Sequence, residues 1–231
     1  MEVSDDIIVL FQEVSDEDVA IAKGFDIKHI GLAENVGIGQ GIITLFNHAK
    51  YETVLFLEHD WELIENKKTL TERLKSGMKM LDEGFDIVRY RSRKNPGHPL
   101  YSSAYKGREL DYFDDWHLVK SPHLLDALHW LDPAREFPDK IQKKGEHFVT
   151  TARWANWTNN PFMIRREFYF QNITPFIGQG IQLEKNIASW WVNQPFKIAQ
   201  GEGLFTHNDL KKHGKPSFVQ KVKTKLKKLF S

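Results

Sequence analysis

The stretch Tyr51–Leu63, YETVLFLEHDWEL, decides the fold. Its apolar run, Val54–Leu57, ends abruptly at Glu58–Trp61, EHDW. A short apolar run of this kind predicts a strand buried on both faces of a sheet, and open α/β sheets place ligands beyond the carboxyl ends of such strands. Glu58 and Asp60 are hard oxygen donors that suit Mg²⁺ or Mn²⁺ carrying a phosphorylated substrate. The alternative interpretation is a polar strand end that merely leaves the sheet.

Strands and helices alternate through the first half of the chain, which predicts an α/β fold with a mostly parallel central sheet flanked by helices. The predicted strands are Ile7–Phe11, Ile27–Leu32, Val54–Leu57 and Phe85–Tyr90, and the predicted helices end near Gly24, Lys50 and Leu81. The second half is less regular, with helices expected at Ser121–Trp130 and Gln182–Val192. We expect one domain over residues 1–215 and a separate helix at 216–231.

The composition excludes several classes of function. The 231 residues contain no cysteine, so disulfides, thiolate metal sites and a cysteine nucleophile are excluded. The segment from Lys211 onwards holds eight lysines and no acid; subtracting them from the 32 basic residues leaves 24 against 31 acidic residues. A body this acidic argues against general nucleic-acid binding. No secretory signal or membrane-length apolar run is visible, so a cytoplasmic location is expected.

Three glycines follow Asn35 at every second position, in Gly37-Ile38-Gly39-Gln40-Gly41. Their spacing predicts a loop whose backbone approaches a ligand closely, followed by a helix that offers N–H groups to an anion. The spacing is not the dinucleotide-binding fingerprint, and an ordinary glycine-rich turn is the alternative.

Asn35-Val36-Gly37, a helix, and then the strand VLFLEHD ending at Asp60 together resemble the core of GT-A glycosyltransferases, particularly the large family-2-like group. The resemblance implies a GT-A-like, Rossmann-like fold whose second half faces the acceptor. It implies that Glu58 and Asp60 hold Mn²⁺ or Mg²⁺ against a nucleotide diphosphate. It also implies donor contacts from Asn35 and Gly37, and from Glu13 in the segment IIVLFQEVSDED.

The same resemblance implies two further site residues. Glu184, in GQGIQLEKNIASWW, matches the catalytic carboxylate of the family, and His207 matches a third metal ligand near the C-terminus. Helical spacing independently places Glu184 on one face with Ile187 and Trp191, near the helix N-terminus. A glutamate that only caps the first helical turn is the alternative, and single histidines are often structural.

Two groups of residues suggest substrate contacts. Aromatic rings and side-chain amides suit a sugar, and they are concentrated in the acceptor candidates Trp154, Trp157, Asn159 and Asn160. Alternating arginines suggest contact with a diphosphate or an anionic acceptor, so Arg89 and Arg91 are donor candidates, whereas Arg93 is expected to be solvated. An aromatic core loop is the alternative for the first group.

The C-terminal segment SFVQKVKTKLKKLF, Ser217–Phe230, surrounds an apolar helical stripe with lysines. This pattern is typical of a helix lying on an anionic membrane surface, which would make the protein peripheral at a membrane. The alternative is a terminal helix packed on the domain with its lysines reaching into water.

The resemblance, together with these patterns, implies a metal-dependent, inverting glycosyltransferase that moves a sugar from a nucleotide-sugar donor to a glycan or lipid-linked acceptor, without a nucleic-acid partner. One alternative is a non-catalytic glycan-binding module with a degraded donor site, because the family usually has one more strand before the segment that Ile7–Phe11 resembles. Another is a phosphoesterase that uses the same carboxylates.

Overall fold

The computed structural model of the chain describes residues 6–94, 120–178 and 182–207. The strands are β1 (Ile8–Phe11), β2 (Lys28–Gly31), β3 (Thr53–Phe56), β4 (Trp61–Leu63), β5 (Ile87–Arg91), β6 (Gln142–Lys144), β7 (His147–Thr151), β8 (Phe162–Arg165) and β9 (Lys197–His207). The helices are α1 (Asp16–Gly24), α2 (Gly37–His48), α3 (Lys67–Asp82), α4 (Pro133–Glu136), α5 (Arg166–Asn172) and α6 (Leu183–Trp191). The predicted C-terminal helix at 216–231 lies outside these residues.

The α/β class is confirmed, but the expectation of a mostly parallel sheet is wrong. Among the described residues, β1 and β2 form a parallel pair, and seven further strands form a mixed sheet in the order β3-β8-β5-β9-β7-β6, with β4 also paired to β9. Only β5 and β9 are parallel within that larger sheet, as far as the described strands go.

The antiparallel character comes from strands in the second half. β8 enters the sheet between β3 and β5 and runs antiparallel to both. β6 and β7 form a hairpin across Gly145-Glu146, where Gly145 has a left-handed φ of 60°. Glycine adopts this conformation without steric cost, which is what a two-residue hairpin turn requires.

The larger sheet is covered on both faces. Alternate residues of β5 point to opposite sides, so Val88 and Tyr90 pack with Leu74 of α3, whereas Ile87 joins the second core cluster. That second cluster is rich in aromatic residues and includes Phe46, Trp157, Phe162, Tyr169 and Trp191. It joins α2, α5 and α6 to the sheet.

The first half confirms the predicted alternation of strands and helices. α1 begins after Ser15, whose hydroxyl accepts a hydrogen bond from the N–H of Asp18 while the Asp18 carboxylate accepts from Ser15 N–H. This reciprocal capping satisfies two backbone donors at the helix start.

β9 bends within its length. Gly203 has a φ of 78°, and a Cβ at this position would lie 2.1 Å from the carbonyl oxygen of Arg91. The register of β9 against β5 shifts between Arg89 and Arg91 at this point. A bulge of this kind re-aims the rest of a strand, and here it lets His207 pair with Trp61 of β4.

The helix expected at Ser121–Trp130 is absent, and two short 3₁₀ turns, Pro122–Leu124 and Ala127–His129, replace it. The break lies at Asp126, whose carboxylate accepts a hydrogen bond from Leu128 N–H and whose backbone forms a bridge with Ala155. Side-chain bonding of aspartate to nearby backbone competes with a continuous helix.

Every helix in the described part of the chain is too short or too polar to cross a membrane.

Candidate active site

A cleft of about 1090 Å³ opens beside the carboxyl ends of β1 and β3. Its walls come from four segments, and these are the ends of β1 and β3, the first three turns of α2, and the loop at Ile177-Gly178. The volume is that of a large ligand-binding site. The lining residues include Gln12, Asn35, Gly37, Gln40, Leu57 and Glu58.

The segment Asn35-Val36-Gly37 forms a tight turn at the mouth of the cleft. The side-chain oxygen of Asn35 accepts a hydrogen bond from Gly37 N–H at 2.9 Å, and Gly37 has a φ of 78°. The side-chain oxygen of Gln12 accepts a second bond from Val36 N–H at 2.8 Å. Asn35 and Gly37 therefore lie at the cleft as the sequence predicts, while Gln12 is a cleft residue that sequence reasoning missed.

The predicted glycine loop is wrong in extent, because α2 already begins at Gly37. A Cβ at Gly39 would lie 2.8 Å from the Ile177 side chain, and one at Gly41 would lie 3.2 Å from Leu10. These two glycines therefore allow α2 to pack closely against β1 and the 177 loop. Glu13, the predicted donor ligand beside Gln12, is exposed and does not line the cleft.

Glu58 lies at the end of β3, where it is half-buried and lines the cleft. Burial, together with the negative charges of Asp60 and Glu184, raises the pKa of its carboxyl from 4.5 to about 7. Three carboxylates from two distant parts of the chain therefore lie close enough to interact.

Asp60 and His207 form the second pair of the site. Nε2 of His207 lies 3.0 Å from Oδ2 of Asp60, because the pairing of β4 with β9 places Trp61 opposite His207. The Trp61 ring packs edge-on against the His207 ring at 5.1 Å. Oδ1 of Asp60 is buried and has no hydrogen-bond partner among the described residues.

No group of three His, Cys, Asp or Glu side chains in the described part of the chain is arranged to hold a metal ion. Asp60 lies near Glu58 and is 3.0 Å from His207, but the three predicted ligands do not form a preassembled metal cage. Mg²⁺ commonly binds through one or two carboxylates plus substrate phosphates, rather than through a dedicated protein cage. The carboxylate pair and the unpartnered Oδ1 of Asp60 fit that mode of binding.

Glu184 lies in the first turn of α6, which confirms the predicted helix. Ile187 and Trp191 of this helix are fully buried, while Glu184 is half-buried at the edge of the same face. Its Oε1 accepts a hydrogen bond from the backbone N–H of Asn159 at 2.8 Å. The charge of Glu184 also acts on the Glu58 carboxyl, so these two side chains lie close enough to interact.

The two predicted donor arginines differ. Arg89 is 4% exposed, and its guanidinium bonds Asp126 at 2.9 Å and the carbonyl oxygen of Asn156. The buried guanidinium of Arg89 has no exposed surface for contact with a nucleotide-sugar donor, so we do not propose that contact. Arg91 is half-buried, with its guanidinium 5.7 Å from the centre of the Trp61 ring, beside the Asp60–His207 pair.

Arg93 is buried, so the expectation that it is solvated is wrong. It is 3% exposed, and its guanidinium donates to the carbonyl oxygens of Leu128, Trp130, Gln200 and Gly201. The guanidinium also lies 4.3 Å from the centre of the Phe148 ring. Burial lowers the pKa of Arg93 to about 10. It anchors residues 128–130 to β9.

The predicted acceptor residues separate into core and surface positions. Trp157 is 1% exposed in the aromatic core. Its ring therefore presents no open face to a sugar, and we do not propose a sugar contact for it. Trp154 is half-buried, between the Lys140 ammonium at 5.2 Å and the Arg153 guanidinium at 5.1 Å from its ring centre. Asn159 is 8% exposed and bonds Glu184 through its backbone.

Asn160, the last predicted acceptor residue, is half-buried next to Asn159. Its N–H donates to the Thr158 hydroxyl at 3.3 Å. The contact of Asn160 with an acceptor stays a prediction.

Comparison with known proteins finds no matching family and no matching curated protein. Among solved structures, the chain is similar to the crystal structure of A197 from STIV, with 13% sequence identity and a TM-score of 0.35. That similarity covers 84% of this chain and 79% of the other. A likeness this distant carries no argument about fold or function.

Proposed function

We propose that this chain is a metal-dependent glycosyltransferase that transfers a sugar from a nucleotide-sugar donor to an acceptor hydroxyl with inversion. The observation that carries the proposal is the convergence of Glu58, Asp60 and Glu184 beside a cleft of about 1090 Å³. The likeness of the Asn35–Asp60 segment to the GT-A pattern adds to it.

The cleft suits the nucleotide portion of a donor. Apolar lining from Leu10, Val36 and Leu57 offers surface to a base, and the amides of Gln12 and Asn35 offer polar contacts. The first turn of α2 lines the same cleft, and a helix N-terminus favours negative charge such as a phosphate.

A divalent cation, Mn²⁺ or Mg²⁺, would be held by Glu58 and Asp60, with His207 beside them. Bound there, it supplies Lewis-acid stabilisation of the negative charge that develops on the leaving diphosphate. Glu58 must be deprotonated to act as a ligand, so donor binding is expected to strengthen as the pH rises through about 7.

Glu184 would act as the general base. Its carboxylate accepts the proton of the acceptor hydroxyl as that oxygen attacks the anomeric carbon and the bond to the diphosphate breaks. Direct attack by the acceptor inverts the anomeric configuration. Asn159 N–H holds one carboxylate oxygen of Glu184, and the other oxygen is left for the acceptor.

The second candidate function is a glycan-binding module without catalysis. It is favoured by one observation, that the described residues contain no preassembled three-ligand metal group. Such a module would bind glycans without binding nucleotide sugars.

A thermal-stability screen tests both functions. The chain is heated with a panel of nucleotide sugars in Mn²⁺ or in EDTA, and a bound donor at 100 times its Kd is expected to raise the Tm by about 5 °C. The hit is then incubated with candidate glycan and lipid-linked acceptors, and the anomeric configuration of the product is determined by NMR. Glycan binding without a stabilising nucleotide sugar would overturn the enzyme proposal in favour of the module.

The acceptor and the cellular location follow from the same proposal. A glycan or a lipid-linked sugar is the expected acceptor, and the protein is expected to be cytoplasmic and peripheral at a membrane. A vesicle-binding assay with anionic and neutral lipid, comparing the full chain with a variant whose lysines at 221–228 are replaced by glutamine, tests the membrane contact.

A further inference from the structure

We infer that the turn Ala155–Asn160 holds Glu184 in one orientation, which makes Trp157 and Asn159 positioning residues for the general base. The inference rests on the proposed function, because it concerns how the proposed base is oriented. It assigns to this segment a role other than contact with the acceptor sugar.

The backbone of Asn159 contacts the Glu184 carboxylate directly. Asn159 N–H donates to Oε1 of Glu184 at 2.8 Å, and Asn159 is only 8% exposed. A backbone donor in a buried turn moves less than a side chain, so it restrains the carboxylate both in position and in rotation. Among the described residues, none donates a hydrogen bond to Oε2 of Glu184, which leaves that oxygen for a substrate.

The buried Trp157 ring fixes the turn. The indole Nε1 of Trp157 donates to the side-chain oxygen of Asn159 at 3.3 Å. The Trp157 ring is 1% exposed and packs against the rings of Phe162 at 5.3 Å and Trp191 at 5.4 Å. The side chain of Asn159 is therefore tied to a ring that has no room to move.

Trp191 links the same turn to α6, the helix that carries Glu184. Nε1 of Trp191 donates to the carbonyl oxygen of Ala155 at 2.8 Å, and Trp191 is fully buried. Glu184 and Trp191 are separated by about 10 Å along α6, from a helical rise of about 1.5 Å per residue. Two bonds at opposite ends of the helix therefore resist both sliding and rotation of α6 against the turn.

The catalytic consequence follows from how steeply rate depends on geometry. A misplacement of about 1 Å at a reacting group can cost about 100-fold in rate. With Oε1 fixed by Asn159, Oε2 is the oxygen that accepts the proton. Loosening the turn is expected to lower kcat while the donor, bound at the cleft, is held as before.

The test compares Trp157→Phe and Asn159→Ala with their double variant. Both single substitutions remove one indole-to-amide hydrogen bond, and the first keeps an aromatic ring in the core. We expect each to lower kcat about 10-fold while the donor KM changes less than about 2-fold. The double variant is expected to be no slower than the slower single variant, because both remove the same bond.

Trp190→Phe is the matched control. Trp190 lies on the same helix, and its ring packs against Phe176 and Phe196 and lies 6.5 Å from the Trp191 ring. It is expected to keep kcat within about 2-fold even if its Tm falls, because no bond to the turn is lost. Wild-type kcat in both Trp157→Phe and Asn159→Ala would overturn the inference.

A readout that does not need activity separates this inference from the proposed function. Hydrogen exchange of the Asn159 amide is expected to accelerate at least about 10-fold in Glu184→Ala and in Trp157→Phe, but not in Trp190→Phe. Unchanged exchange in the first two variants would contradict the positioning contact. Loss of transfer in Glu184→Gln together with full activity in both Trp157→Phe and Asn159→Ala would contradict this inference alone, whereas full activity in Glu184→Gln would contradict the base assignment as well.

Discussion

The proposed site has two walls that differ in how their polar atoms are partnered. The donor wall, residues 35–41 and 56–60, includes the half-buried Glu58 and a buried oxygen of Asp60 that has no partner among the described residues. The acceptor wall, residues 155–160 and 183–191, contains the buried side chains Trp157 and Trp191, whose indole N–H groups are both bonded within the wall. The first wall presents carboxylate oxygens to a ligand, whereas the second is held together by its own indole hydrogen bonds. Oδ1 of Asn156 in the second wall is also buried without a partner among the described residues.

The walls also differ in charge. Glu58, Asp60 and Glu184 place three carboxylates at the junction. Burial of Glu58, and after it the charges of the other two carboxylates, raises the pKa of Glu58 to about 7. Like charges held together destabilise the folded state unless a proton or a cation neutralises them. The donor wall should therefore respond to metal and pH, and the acceptor wall should respond to changes in packing.

The largest expected effect separates the walls by chemistry. Asp60→Ala and Glu184→Gln are each expected to lower transfer at least about 1000-fold, because they remove a cation ligand and the proton acceptor. Only Asp60→Ala should weaken metal-dependent nucleotide binding, as measured by calorimetry. Substantial transfer by either variant would remove that residue from the proposed mechanism.

The next effect concerns the support of the acceptor wall. Arg89→Ala is expected to lower the free energy of unfolding by about 3–5 kcal/mol, because it leaves Asp126 and the Asn156 carbonyl without their buried partner. Urea unfolding measures the loss. Arg165→Ala is the control, since it removes a pair of similar length, 2.8 Å to Asp82, between side chains that are 42% and 71% exposed. That exposed pair should contribute less than about 1 kcal/mol.

The Arg89 experiment also tests its sequence-based assignment as a donor ligand. Reduced donor affinity in Arg89→Ala with unchanged unfolding free energy would restore that assignment. It would also contradict the view that Arg89 supports the acceptor wall and does not bind the donor.

A smaller effect is the pH dependence of the donor wall. The pKa of Glu58 is raised from 4.5 to about 7 in the folded state, so its stabilising contribution is present below pH 4.5 and is lost as the pH rises through about 7. Partial solvent screening limits the loss to about 1–2 kcal/mol. In EDTA, the wild type is expected to lose this stability between pH 5 and pH 8 relative to Glu58→Gln, and Mn²⁺ should restore it at pH 8. Parallel unfolding curves for the two proteins at both pH values would contradict the charge assignment.

The smallest effect concerns the close packing of α2. Gly39→Ala gains helix propensity, but its Cβ would lie 2.8 Å from the Ile177 side chain. We expect a net change in unfolding free energy within about 1 kcal/mol, and about 3-fold weaker donor binding because the 177 loop lines the cleft. Adding Ile177→Ala should restore donor binding. Gly24→Ala in α1, where a Cβ meets nothing within 4 Å, is the control and should leave donor affinity unchanged.

The sequence predicts the first half of the fold well, because its elements follow simple local rules. The alternation of strands and helices and the apolar run of β3 each depend on residues close together in the chain. The prediction of a mostly parallel sheet is wrong because the pairing of strands depends on residues far apart in the chain. β8 joins β3 and β5 through packing of Phe162 and Ile164 in the core, which no local period in the sequence encodes.

The site was predictable where chemistry and spacing coincide, and less so where burial decides. Glu58, Asp60, Glu184 and His207 were all named from the sequence, and the structure brings them to one region. Trp157 and Arg89 are buried, because aromatic and cationic residues serve the core as readily as a ligand. The Gly145-Glu146 hairpin was the one missed signal that local turn chemistry could have supplied.

The most direct test of the central claim is a calorimetric titration of a nucleoside diphosphate into the chain at pH 8. The account predicts binding in Mn²⁺, no binding in EDTA, and no binding by Asp60→Ala in either condition. Equal affinity in Mn²⁺ and EDTA, retained in Asp60→Ala, would contradict the claim that the carboxylates at the end of β3 bind a cation that carries the diphosphate.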